Sequence, residues 1–215
     1  MVSEAMSAAR QLLDAESALI ASISVTAEEQ LEAIANDLIG LQGKVFFVGA
    51  GTSGYVARRA AHLFSVCGTP AVYMQPADAL HGSIAAIQPQ DALIALSKGG
   101  ATTEVNRVIV LAKEIGVPVF ALSCVEESEM ADLADETVVL PADDVSDPGG
   151  LIAMGSTLAH SAWLDALAYV LMRAKAYDFD HVLHTHPSGA VGQKTTLPPD
   201  LTPIKLSTPN EGIQK

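Results

Sequence analysis

Four consecutive apolar residues, Val45-Phe46-Phe47-Val48, run into Gly49-Ala50-Gly51-Thr52-Ser53-Gly54 and then into the helix-compatible stretch Tyr55 to Phe64. An apolar run without alternation predicts a strand covered on both faces, as in a parallel sheet between two helical layers. The glycines then turn the chain, and Thr52 or Ser53 is available to cap the helix that follows. A strand, a glycine turn and a helix start make an anion site. Backbone N–H groups without intrahelical acceptors and the positive end of the helix dipole both face the turn.

The same alternation recurs along the chain. Strands are expected at 71–74, 92–96, 117–122 and 137–140. Helices are expected at 78–86, from the loop Ser97–Glu104 to Ile115 with Gly116 as its stop, and at 126–134. Two helices, at 3–22 and from Thr26 to Leu41 with Gly43 as the stop, precede the first strand. A long one, 151–176, follows the loop Asp143–Gly150. Five strands alternating with helices give an α/β fold, a doubly wound five-stranded parallel sheet flanked by helices. From Pro198 onward the chain is rich in Pro and Thr without periodicity and reads as a tail ordered only by contact with a neighbour.

The second strand-to-helix junction, Ser97-Lys98-Gly99-Gly100-Ala101-Thr102-Thr103-Glu104, echoes the first. Ser97, Thr102 and Thr103 offer hydroxyls and N–H groups to a phosphate monoester, and Lys98 adds a point charge. In a parallel sheet both junctions open at the carboxyl edge of the strands, where ligands of open α/β folds bind. Gly49 to Gly54 matches G-x-G-x-x-G, but no acidic residue closes the second strand, Ala71 to Gln75, to hold a ribose. No P-loop lysine follows either, so a small phosphorylated ligand ranks above a nucleotide.

A formal net charge of -13 on 215 residues argues against nucleic-acid and anionic-membrane partners, since nothing would neutralise their phosphates. Cys67 and Cys124 lie far apart, lack metal-ligand spacing and read as buried thiols of a reducing compartment. The N-terminus shows no signal-peptide pattern, and the apolar stretch 151–172 is interrupted by His160 and Asp165, which suits a buried helix better than a membrane span. The expected location is cytoplasmic.

Gly49 to Gly54 after a strand, Ala79-Leu80-His81-Gly82, Pro89-Gln90-Asp91, the turn at 97–104 and His184-Thr185-His186-Pro187-Ser188-Gly189 resemble, in order and spacing, the sugar isomerase (SIS) domains, and most of all the arabinose-5-phosphate isomerases. The resemblance spans about residues 30 to 194. It implies a dimer or tetramer with active sites at subunit interfaces, a sugar-phosphate substrate and no cofactor or metal. Many members append a tandem CBS pair, which is not expected in a chain of this length. The resemblance divides the chain into N-terminal helices (1–43) packing on the domain or on a partner subunit, the SIS domain (44–194) and the tail (195–215).

The residue pattern departs from the family at three places. Thr52 stands where the family's first loop has lysine. Ala101 stands where its second loop has glutamate. Val145, beside Asp144, stands where a further glutamate precedes the Cys-Pro-Leu-Gly segment. Aldose–ketose isomerisation through an enediol needs a base to carry a proton between adjacent carbons and an acid at the two oxygens. His186, in a Gly/Pro loop, is the first candidate for that acid/base. His81 is the second, polarising the substrate oxygen, and Glu104 and Asp144 are candidate replacement carboxylates. Gly51, Thr52, Ser53, Ser97, Lys98, Thr102 and Thr103 are the expected phosphate binders. His181, His184 and His186 also suggest a metal cluster, a reading ranked below a substrate loop. A sensor that binds sugar phosphate without turnover is the alternative function.

Overall fold

Alternate residues of the first strand face opposite helical layers, and this sets the architecture. The computed structural model describes residues 3–207. Its strands are β1 (Val45–Gly49), β2 (Ala71–Met74), β3 (Ala92–Leu96), β4 (Val119–Ser123) and β5 (Glu136–Val139). They form one parallel sheet in the order β2-β1-β3-β4-β5, with Val45 aligned to Ala71 on one side and to Ala92 on the other. The helices are α1 (Glu4–Thr26), α2 (Glu28–Ile39), α3 (Gly51–Val66), α4 (Pro76–Leu80), α5 (Thr103–Ile115), α6 (Glu129–Leu133), α7 (Gly155–Ala174) and α8 (Phe179–His184).

Val45 and Phe47 point to a core shared with Ile34 and Leu38 of α2, Phe64 of α3 and Trp163 and Leu167 of α7. Phe46 and Val48 point the other way, to Val105, Val108 and Ile109 of α5 and Met130 of α6. Every residue of β1, β3 and β4 is buried, which is why these runs show no polar alternation. At the foot of the sheet the buried carboxylate of Asp91 joins the turn before β3 to β1. It accepts from the N–H groups of Lys44 and Gln88, each at 2.8 Å, and from the Lys44 ammonium at 3.3 Å.

Several element boundaries differ from expectation. Thr26 ends α1 instead of opening α2, whose cap is Ala27, and α2 stops at Gly40 before Gly43 is reached. The stretch 78–86 divides at Gly82 into α4 and a 3₁₀ turn over Ser83–Ala86. The long helix starts at Gly155, and a 3₁₀ turn over Pro148–Gly150 precedes it. The stretch beyond 176 contains a further short helix, α8, capped by the Asp178 side chain accepting from the His181 N–H.

The tail is held by its own chain as far as residue 207. Arg173 donates to the Thr202 carbonyl, the Phe179 N–H to Asp200, and the Ser207 N–H to Glu32, while Leu206 packs on the core. Residues without periodicity still order where a neighbouring element supplies partners for their backbone. The rest of the tail, 208–215, lies outside the described residues. Among the described residues no helix is long and apolar enough to cross a membrane.

Candidate functional site: two helix N-termini at the switch of strand order

The strand order reverses between β1 and β3, so α3 and α5 leave these adjacent strands for opposite faces of the sheet. That divergence opens a crevice at the carboxyl edge. Both presumed anion loops line this edge. In the first, Gly51 makes the turn at φ +52° and Ala50 takes the N-cap position. Thr52 and Ser53 therefore sit inside the first turn and neither caps it, contrary to expectation. The first intrahelical bond runs from the Gly54 N–H to the Ala50 carbonyl, 3.1 Å. The N–H groups of the turn before it are left for an external acceptor. Gly54 is required for close packing, because a Cβ there would lie 2.7 Å from the Gly49 carbonyl oxygen.

In the second loop Ser97 is buried and its Oγ lies 3.0 Å from the Thr102 Oγ1. Thr102 is the N-cap of α5, but its hydroxyl is engaged with Ser97 and makes no cap bond. Thr103 and Glu104 follow, exposed, in the first turn of α5. A carboxylate there is favoured by the helix dipole and stands beside the presumed phosphate position.

Lys98 belongs to the same loop, and its ammonium turns toward the segment before α7. Nζ lies 2.7 Å from the Asp147 Oδ2 and donates to the Gly150 carbonyl at 2.8 Å. Asp147 is fully buried, and its Oδ1 accepts from the N–H groups of Met154 and Ser156 at 2.7 and 3.0 Å. Burial alone would raise this carboxyl, but Lys98, Ser156 and Met154 together outweigh it and hold it at about 2. Behind it, the His160 imidazole is pushed down to about 4 by burial, against the opposing pull of the Asp147 charge. Burial, with the Asp147 charge adding to it, pushes the Cys124 thiol up to about 11, which makes it a poor nucleophile.

The candidate acid/base residues stand apart from one another in the chain. His81 is the C-cap of α4, exposed, on a helix that packs beside α5. His186 follows α8, and its ring Nδ1 is 2.6 Å from the Val182 carbonyl. A carbonyl only accepts, so the proton sits on Nδ1 and the Nε2 lone pair is left for chemistry. Among the described residues, the His186 ring makes its remaining hydrogen-bond contact with Thr185 Oγ1, within its own loop.

Asp144, the other candidate carboxylate, is exposed in the loop before α7. His181 pairs with Asp178 at 2.6 Å. Among the described residues no three His, Cys, Asp or Glu side chains converge to hold a metal ion.

By sequence Arg58 and Arg59 can reach an anion, with surface ion pairs the preferred reading. Arg59 pairs with Asp165, whereas Arg58 lies 4.8 Å over the Tyr73 ring and lines, with Gly51, Gly54 and Tyr55, a cleft of about 240 Å³ beside the first cradle. Sequence reasoning missed the buried set Asp147, Ser156 and His160, which straddles a loop and a helix and leaves no local signal. An apolar cleft of about 290 Å³ between α1, α2 and α7 contains no residue of either cradle and belongs to the helical layer.

Comparison with known proteins agrees with this geometry. The SIS domain model matches residues 39–170. The chain is 30% identical over 190 residues to the Escherichia coli arabinose 5-phosphate isomerase KdsD, covering 88% of this chain and 58% of that protein. It thus spans little more than half the length of the curated relatives it matches. Among solved structures, a Listeria monocytogenes protein proposed to be a sugar-phosphate isomerase superposes with a TM-score of 0.81 at 30% identity, over 85% of this chain and 96% of that one. An Escherichia coli CFT073 protein solved in complex with A5P superposes with a TM-score of 0.79 at 25% identity, over 83% and 95%. The parallel five-stranded sheet, the paired helix N-termini at its switch point and these matches place the chain in the SIS domain family.

Proposed function

We propose that this protein interconverts the aldose and ketose forms of a small sugar phosphate through an enediol. The observation that carries the reading is the pair of helix N-termini, at Gly51 and Thr103, on adjacent strands of the switch point. A phosphate monoester takes N–H donors from both, and Ser53, Ser97 and Thr102 lie beside it. Lys98 completes the set. The sugar then extends along the carboxyl edge, where Glu104 and His81 lie on neighbouring helices. His81 polarises the carbonyl oxygen. His186 Nε2 moves the proton between the adjacent carbons, reaching the cradles of a second copy in a homo-oligomer with shared sites. No cofactor is needed for a proton transfer of this kind.

Arabinose 5-phosphate and other pentose and hexose phosphates, incubated with the protein in deuterated water, are expected to acquire deuterium beside the carbonyl carbon. A second reading, a sugar-phosphate sensor, is favoured by Ala101 and Val145, apolar where the family carries glutamate. Thermal stabilisation by a sugar phosphate without label exchange selects the sensor. Exchange that survives His186→Ala removes His186 from the mechanism.

A further inference from the structure

Lys98 and Asp147 form an asymmetric pair, and the asymmetry has a use. The carboxylate is fully buried while the lysine side chain keeps 29% of its surface exposed. A buried charge is costly unless every lone pair is served. Here two backbone N–H groups serve Oδ1, while Oδ2 has no hydrogen-bond partner in the described structure and is met by the ammonium as an ion pair at 2.7 Å. An ammonium has three donors. One faces Asp147 and one the Gly150 carbonyl, and among the described residues the third has no acceptor.

The buried polar atoms around the pair belong to the same set. Ser146 Oγ, Ser156 Oγ and His160 Nε2 are all buried without a hydrogen-bond partner in the described structure. Ser156 and His160 are one helical turn apart on α7, and the Ser156 N–H is bonded to Asp147. Burial keeps the imidazole uncharged, so Lys98 is the cation that faces the Asp147 charge.

We propose that Asp147, seated on the Met154 and Ser156 N–H groups at the start of α7, is a positioning residue for Lys98, and that the third Lys98 donor binds an anionic oxygen of the ligand in the crevice. The proposal rests on the sugar-phosphate reading above for the identity of that ligand. Lysine carries a large side-chain entropy, and a carboxylate that fixes it in advance removes that cost from binding. The charge absent at Thr52 is thereby supplied from the other loop, from a lysine anchored to the segment before α7.

Titration calorimetry of the full chain with arabinose 5-phosphate and with inorganic phosphate tests this. The double variant Lys98→Met/Asp147→Asn removes both charges and leaves none unpaired, so it folds even where a single variant does not. It is expected to bind about tenfold more weakly. Lys98→Arg is expected to stay within about threefold of the wild type, since the cation is retained. Asp147→Asn alone, with Lys98 present but unanchored, is expected to lose several-fold in affinity. Equal affinity in the double variant and the wild type overturns the role of Lys98 and leaves the function standing. Loss in Lys98→Met with none in Asp147→Asn overturns the positioning role. If the wild type binds neither ligand, the inference and the sugar-phosphate reading fall together.

Discussion

Acidification should unfold this protein in part through one buried imidazole. His160 is 1% exposed on α7, and burial lowers its pKa from 6.5 to about 4. Between those values the unfolded chain takes up a proton that the folded chain refuses. Stability is therefore flat above about pH 7 and falls as the pH drops through this window, and the loss is complete below about pH 4. Linkage gives about 2 kcal/mol lost at pH 5 and about 3 kcal/mol at pH 4 from this group. The assay is urea unfolding at pH 7.5 and pH 5.0, at one protomer concentration, for the wild type and for His160→Gln. The wild type should lose about 2 kcal/mol more than the variant over this interval, whatever their stabilities at pH 7.5. Parallel losses in the two proteins would refute the neutral buried imidazole. A smaller loss in the wild type would mean that His160 protonates and pairs with Asp147, the opposite electrostatic arrangement.

Asp91→Ala strands two part-buried N–H groups and the Lys44 ammonium, and should cost about 2 kcal/mol in urea unfolding. A cost below about 1 kcal/mol would show that the turn before β3 finds other partners. Gly54→Ala places a Cβ 2.7 Å from the Gly49 carbonyl oxygen, so the first turn of α3 must move off the strand. Stability should fall by about 1–3 kcal/mol, and phosphate affinity measured by calorimetry should fall by about tenfold or more. Unchanged affinity would show that the first cradle does not hold the ligand.

The class of fold was legible in the residues because burial on both faces leaves an unmistakable apolar run. Val45 to Val48, Ala92 to Leu96 and the run leading into β4 could hardly be anything else, and a glycine turn after the first marks a helix start. The burial of the helix that carries His160 and the stop at Gly116 follow from equally local chemistry. Boundaries were harder where a hydroxyl competed with a glycine. Thr52 and Ser53 look like caps, but the turn at Gly51 puts both inside the helix. Phe179–His184, six residues long, is too short for a periodicity to show, although Asp178 was a cap in plain view.

Long-range partners were not legible, because they depend on which segments the sheet brings together. Strand order places the two cradles side by side, and no local pattern encodes the pairing of Val45 with both Ala71 and Ala92. Lys98 reads as a free cation on a glycine loop until the chain returns with Asp147, 49 residues later. Asp91 reads as a turn residue until Lys44 is seen to lie against it. Propensity and hydrophobic period act over a few residues and settle which elements exist. Charge pairing across the sheet edge, and with it the anchoring of Lys98, requires the folded chain.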